Sequence, residues 1–414
     1  MSAHAQEDYD LDFDIPEVEK KPFEYGFNVE FKPSALFLNR DSTAYRLRYA
    51  TDGKSSLTTQ YNLRLQVDGS YRTGNGNIVF KTNSDIDNRF SDWSQGNYLY
   101  EGYYSWTPTP MFSLDVGKKV VKWGKGYAWN PVAFIDRPKD PDDPELSLEG
   151  YSLISADYIK SFSSSLQTTA LTFVILPVTG DFNPDFAARG YVNYAGKLYL
   201  LWNDTDIDFM FLSGKSQPNR LGMDFSKNLK PNLEIHGEWA RTASDIATHI
   251  DSAGNRTDYE RAPNSTLLGI RYLDKNDITY IAEYYRNGFG FSHNEMRDFF
   301  DYAKKSLDSG NNADINSAKR LSEILYGGRN AMRRYLYFKM SWKEPFEILY
   351  FNPGIAAIYN VDDRSYSMTP EFIYSPKTNL TLRLRISMLR GAYGSEYGEK
   401  ITGNKIEFSW KKFF

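Results

Sequence analysis

From Thr43 to Phe414 the chain repeats one pattern: about ten residues in which apolar and polar side chains alternate, then a cluster of turn formers. Gln60 to Asp68 places Tyr61, Leu63, Leu65 and Val67 on one face and Gln60, Asn62, Arg64, Gln66 and Asp68 on the other. Thr381 to Met388 and Asn97 to Trp106 follow the same rule. Successive side chains of a strand point to opposite faces, so these segments predict amphipathic strands. A spanning helix needs about 20 apolar residues. The longest apolar stretch, Ala170 to Val178, is near half that and contains a Thr and a Pro. The fold is therefore expected to be all-β.

A two-sheet sandwich would alternate in the same way, but loop length argues against it. Short connectors such as Pro108-Thr109-Pro110, Asn203-Asp204-Thr205 and Asp274-Lys275-Asn276 alternate with long segments at 84–95, 124–149, 178–189, 242–262, 288–331 and 391–402. A closed barrel inserted from one side of a membrane has tight turns on that side and long loops on the other. Composition agrees. Mean hydropathy is −0.56 because only alternate residues would meet lipid. Aromatics reach 16%, with 31 Tyr and 27 Phe, side chains that collect where hydrocarbon meets water.

The last segment, Lys405-Ile406-Glu407-Phe408-Ser409-Trp410-Lys411-Lys412-Phe413-Phe414, alternates and ends in Phe. Here the sequence resembles the porin-like outer-membrane β-barrels of Gram-negative bacteria, whose final aromatic is read by the barrel-assembly machinery. The resemblance implies a transmembrane, antiparallel, up-and-down barrel in contact with outer-membrane lipid and lipopolysaccharide, with Phe414 as assembly signal. Counting back from Phe414 predicts 18 strands, the first at 43–50, with 16 as the alternative. Bacterial barrels have even strand numbers, so 23–42 is expected to be a luminal segment or an extra strand. The barrel proper is then 43–414, with helical spacing inside the outer loop 288–331.

Ala3-His4-Ala5 fits a signal-peptidase site with Gln6 as mature start, making 1–5 a leader remnant. Residues 6–22 form an acidic tail on the periplasmic side, a solvated strip or a docking strip for a periplasmic partner. There is no Cys, which excludes disulfides and zinc-thiolate sites, and the formal charge of −4 gives no reason to expect nucleic acid. No cofactor or metal site is expected. Asp136, Asp140, Asp142, Asp143 and Glu145 are read as a solvated acidic loop rather than a Ca²⁺ site.

If apolar parity faces lipid, the opposite parity lines the lumen. Arg46, Arg48, Arg64, Arg383, Arg385 and Lys405 then fall on the first two and last two strands, which form one contiguous arc because the first and last strands adjoin in a closed barrel. Glu101, Asp115, Asp206, Asp208, Glu234, Glu238 and Glu283 fall on middle strands. The expectation is a lumen with a basic wall facing an acidic one, unless the charges merely pair with each other.

Gly117 to Pro131 is the most distinctive local segment. Its strand, Trp123-Gly124 and Asn130-Pro131 resemble, within 117–155, barrels associated with lipid-exporting pumps of the RND superfamily and, more loosely, alginate-export channels. Lys119, Lys122 and Lys125 are candidate anion contacts, Gly124 and Gly126 permit an inward bend, and Trp123 and Trp129 read as interfacial anchors. His236 lies between Glu234 and Glu238, yet no motif marks a nucleophile, so no enzymatic activity is expected. The leading functional expectation is passage of small polar or anionic solutes. The alternatives are export of lipid or polysaccharide with a partner, and a non-conducting surface-assembly or adhesion barrel.

Overall fold

The computed structural model describes residues 22–49, 56–89, 92–326, 328 and 330–414. The leader remnant and nearly all of the acidic tail lie outside the described residues.

Eighteen strands close into one antiparallel barrel. The first six are β1 (Phe23–Leu38), β2 (Leu57–Thr73), β3 (Gly76–Arg89), β4 (Asp92–Thr109), β5 (Phe112–Lys119) and β6 (Tyr151–Ser161). There follow β7 (Leu166–Val178), β8 (Tyr191–Trp202), β9 (Thr205–Gly214), β10 (Arg220–Lys230) and β11 (Leu233–Thr242). A separate hairpin, β12 (Asp245–Ile250) with β13 (Arg256–Arg261), stands on the next loop. The wall resumes with β14 (Asn264–Leu273), β15 (Ile278–Arg286), β16 (Arg334–Trp342) and β17 (Phe351–Asn360). It ends with β18 (Tyr366–Lys377), β19 (Leu380–Arg390) and β20 (Thr402–Phe413). Each wall strand pairs with its neighbour in sequence, and β20 returns to β1, so the sheet has no free edge.

The expected count holds, but the first strand does not. It is β1, whose Phe23, Tyr25, Phe27 and Phe31 are exposed on the outside. Thr43–Arg48 is instead a short helix, α1, started by Ser42, whose hydroxyl accepts from Tyr45 N at 3.1 Å. Six residues with Thr43, Tyr45 and Leu47 buried imitate a strand's two-residue period, and a stretch that short cannot separate the two periods. A second difference lies at 84–95, expected as a long loop. There β3 and β4 run on, held by Arg64–Asp85 and Asn62–Asp87 contacts across the β2–β3 ladder.

Leu63, Leu65, Leu221, Leu268, Ile270, Leu336, Phe338, Ile406 and Phe408 are all exposed on the outer face, which forms an apolar belt. Exposed aromatics flank it: Tyr25, Trp106, Trp202, Tyr272 and Phe414 toward the short-turn rim, Trp93, Tyr191 and Tyr366 toward the other. Such girdles are what a bilayer selects at its two interfaces.

The long-loop rim is capped by α2 (His293–Ser309) and α3 (Asn312–Leu321). Ser292 and Glu295 form a reciprocal cap at the start of α2, and Gly310, in the left-handed region, ends it. Met296, Phe299, Phe300 and Ala303 make the buried face of α2. They belong to one apolar cluster that reaches through Met332, Tyr335 and Tyr337 down to Ala128 and Trp129 inside the barrel.

Candidate functional site

The connection from β5 to β6, residues 120–150, does not stay on the rim. It folds into the lumen and touches wall strands on opposite sides. Gly124, with φ of +97°, supplies a backbone conformation that side chains resist. A Cβ there would stand 2.5 Å from Asn130 Nδ2, and one on Gly126 would stand 2.0 Å from Trp129 O. Those two glycines make the inward bend.

Carboxylates of the wall hold the first half of this inner loop by its backbone. Glu238 accepts from Lys125 N and Gly126 N, both at 2.6 Å, from Asn130 Nδ2 at 3.0 Å and from Val132 N at 3.3 Å. Glu283 accepts from Tyr127 N at 2.5 Å and Ala128 N at 2.9 Å. Lys125 Nζ reaches Asp208 at 3.0 Å. Burial works against that ammonium, but Asp208 and Asp224 outweigh it and raise its pKa. Within the loop, Asp136 gathers the N–H groups of Val121, Lys122 and Trp123 at 2.9, 3.0 and 2.9 Å.

The second half is held mainly by β18 and β19, further round the wall, with reversed sign. Asp143 accepts from Arg383 Nη1 and Nη2 at 3.1 and 2.9 Å and from Arg385 Nη1 at 3.4 Å. Burial alone would push the Asp143 carboxyl up, yet the two guanidiniums hold it below the usual carboxylate range. Arg385 also donates to Asp142 O, and Ser367 Oγ donates to Asp142 Oδ1 at 3.3 Å. Glu145 meets Lys339 at 3.0 Å and Lys81 Nζ donates to Ser147 Oγ at 2.6 Å. A buried ion pair costs desolvation that only good geometry repays. Here the return is positional, since the pairs fix where the loop crosses the lumen.

The remaining sequence-predicted residues divide as follows. Arg64 is bound by both Asp85 oxygens at 2.7 and 3.1 Å, and Lys405 by Glu407 at 2.5 Å. Asp115 pairs with Lys119, Asp206 accepts from Tyr199 OH at 2.5 Å, and Glu101 accepts from Val120 N at 3.2 Å. Arg46 and Arg48 are not on the wall at all: they sit on α1, Arg46 against Asp308 of α2 at 3.1 Å. Lys119 and Lys125 are spent on wall carboxylates, whereas Lys122 pairs with no acid among the described residues. Trp123 and Trp129 are not interfacial anchors. They are 2% and 7% exposed and packed inside the barrel, Trp129 stacked on Tyr285 at 5.0 Å. Nor is 136–145 a solvated loop, since Asp136 and Asp143 are held as described.

His236 is fully enclosed, with Nε2 3.0 Å from Glu283 and Nδ1 3.5 Å from Glu234. Tyr127 lies edge-on to its ring at 5.2 Å and donates to Glu234 at 3.3 Å. No hydroxyl nucleophile is hydrogen-bonded to this imidazole among the described residues. The group joins wall to inner loop.

Sequence reasoning missed Asp143 as a site residue, and with it Glu371, which accepts from Arg383 Nε at 2.6 Å. Asp143 and Arg383 are 240 positions apart, so no local pattern links them. Glu371 was legible in principle, because it stands opposite Arg385 in the β18–β19 register.

Solved structures share this architecture. The Escherichia coli protein Wzi, described as an outer-membrane, carbohydrate-binding β-barrel involved in group 1 capsule assembly, superposes with a TM-score of 0.54 at 10% identity over 93% of this chain and 83% of its own. OccK11 (OpdR) of Pseudomonas aeruginosa gives 0.52 at 10% identity over 94% and 96%. The fold is that of an outer-membrane β-barrel. At such identity the likeness extends to the fold alone. No protein-family model and no curated protein sequence matches the chain.

Proposed function

We propose that this barrel is a gated, porin-like channel of a Gram-negative outer membrane, passing small polar and above all anionic solutes. The observation that carries the reading is the inner loop, pinned by Glu238 and Glu283 on one side and by Arg383 and Arg385 on the other. A loop tied across a charged lumen narrows it to a path whose field orients polar solutes and resists apolar ones. The apolar belt would face lipid and lipopolysaccharide, and Phe414, stacked on Phe27 at 4.6 Å, would serve the assembly machinery. In this reading α2 and α3 form the lid.

Planar-bilayer recording tests it. The intact protein is expected to give small or infrequent steps, and a variant lacking 289–331 larger and steadier ones. Silence from both would sink the channel reading. It would favour a second one, a closed barrel that binds saccharide; Wzi is described as a carbohydrate-binding barrel. The apolar cluster filling the long-loop end speaks for this alternative.

A further inference from the structure

Between the inner loop and the wall, toward the long-loop rim, lies a cavity of about 770 Å³. Its borders carry five basic side chains, Lys81, Lys122, Arg137, Lys139 and Arg220, against three acidic ones, Glu101, Asp136 and Glu145. The acids are already committed: Glu101 to Val120 N, Asp136 to three backbone N–H groups, Glu145 to Lys339. Of the bases, only Arg137 is in an ion pair, with Asp185 and Glu149. Lys81, Lys122, Lys139 and Arg220 meet no carboxylate within ion-pair distance among the described residues. Lys139 gives its protons to the carbonyls of Gly126 and Tyr127, at 2.7 and 3.4 Å, and Lys81 to Ser147. The cavity's border therefore carries two more basic than acidic side chains.

Arg220 is the best placed of the four. Its guanidinium lies 6.0 Å from the ring centroids of Phe134 and Phe289, and its Nη2 donates to Gln217 Oε1 at 2.9 Å. Aromatic faces and the Gln217 carbonyl hold the planar fork in one orientation, and a fork so held suits the two oxygens of a carboxylate. Arg220 Nε and Gln217 Nε2 are buried and meet no acceptor among the described residues, and the same holds for Trp123 Nε1 and Trp129 Nε1 on the cavity's border. A buried donor without an acceptor is destabilising, and an acceptor reached by a small side-chain adjustment would relieve it. The volume is far above that of an inorganic ion and within the range of small-molecule sites. The ring of Phe289, 37% exposed, offers the cavity an apolar surface.

We infer that this cavity is a binding site for a small organic carboxylate, its carboxylate on Arg220 and its body beside Phe289. The inference rests on the channel reading for its purpose, as the station where an anionic solute enters, but not for its chemistry.

The test is calorimetric titration of the full-length protein in detergent with sodium glucuronate and sodium benzoate as probes, and with glucose and sodium sulfate as controls. At least one carboxylate is expected to bind, with both controls at least about ten-fold weaker. Arg220→Met is expected to weaken that binding about ten-fold or more, the scale of a lost charge-assisted hydrogen bond. Lys122→Gln, at an exposed position, provides a second variant should Arg220→Met fail the heat-dependent gel shift of a folded barrel, and a loss of several-fold is expected there. The proposal is overturned if neither carboxylate binds, if glucose or sulfate binds as tightly, or if a folded variant binds like the parent. Binding without conductance would retain the site and remove the channel. Conductance without binding would do the reverse.

Discussion

Glu238 is the side chain on which the inner loop depends most, because four donors of that loop converge on it. Replacing it by Ala leaves those donors unpaired in a buried place, at about 1–3 kcal/mol for each one that finds no water. Glu238→Ala is therefore expected to open the backbone beside Lys122 and Lys125 to trypsin while the barrel itself resists; an uncut loop would contradict this. Asp143 gives a pH prediction. Its folded-state pKa is depressed, so its contribution to holding the loop is complete above the ordinary Asp value of about 3.9 and is lost as pH falls through the lower, folded value. Channel noise is expected to be the same at pH 7 and pH 5 and to rise only below about pH 4. A transition between pH 5 and 7 would assign the gate to another group. At this scale the sequence was legible in part. Lumen parity singled out Glu238, Glu283, Arg383 and Arg385, but it could not say that they hold a loop. Trp123 and Trp129 were misread because an indole has the same amphipathic character at a lipid interface as in a buried cluster beside a polar lumen.

Among elements, the strands near the C-terminus were readable because each has one face against lipid, which demands apolar residues at every second position. The helix α1 was not, since its burial against the lid sets Thr43, Tyr45 and Leu47 at strand-like spacing. The extension of β3 and β4 was hidden for a related reason. Above the lipid belt nothing requires apolar residues, so Ser84 to Arg89 reads as loop while the ladder continues. The helices α2 and α3 were readable from helical periodicity, and their packing makes a prediction. Phe299 is completely buried and stacked on Tyr326 at 3.9 Å. Phe299→Ala is expected to remove about 3–5 kcal/mol of packing from the lid. Hydrogen exchange of α2 amides should quicken accordingly while the strand amides stay protected. Unchanged α2 exchange would mean that the helices do not form a packed cap.

For the whole molecule, the decisive economy is that the charges of the inner wall also position the inner loop. The outer surface was legible from alternation and loop asymmetry alone. The interior was not, because its contacts join the 120–150 segment to strands far away in sequence. The absence of Cys from all 414 residues allows a direct test of that interior. Asp143→Cys together with Arg383→Cys introduces two thiols, one on the inner loop and one on β19, that a short bifunctional maleimide should bridge within one molecule. Efficient intramolecular bridging in the folded, membrane-inserted barrel, with Asp143→Cys paired to an outward position such as Leu384→Cys remaining unbridged, is the predicted result. Equal failure of both pairs, in protein that still shows the folded gel mobility, would place the loop outside the lumen and contradict the account.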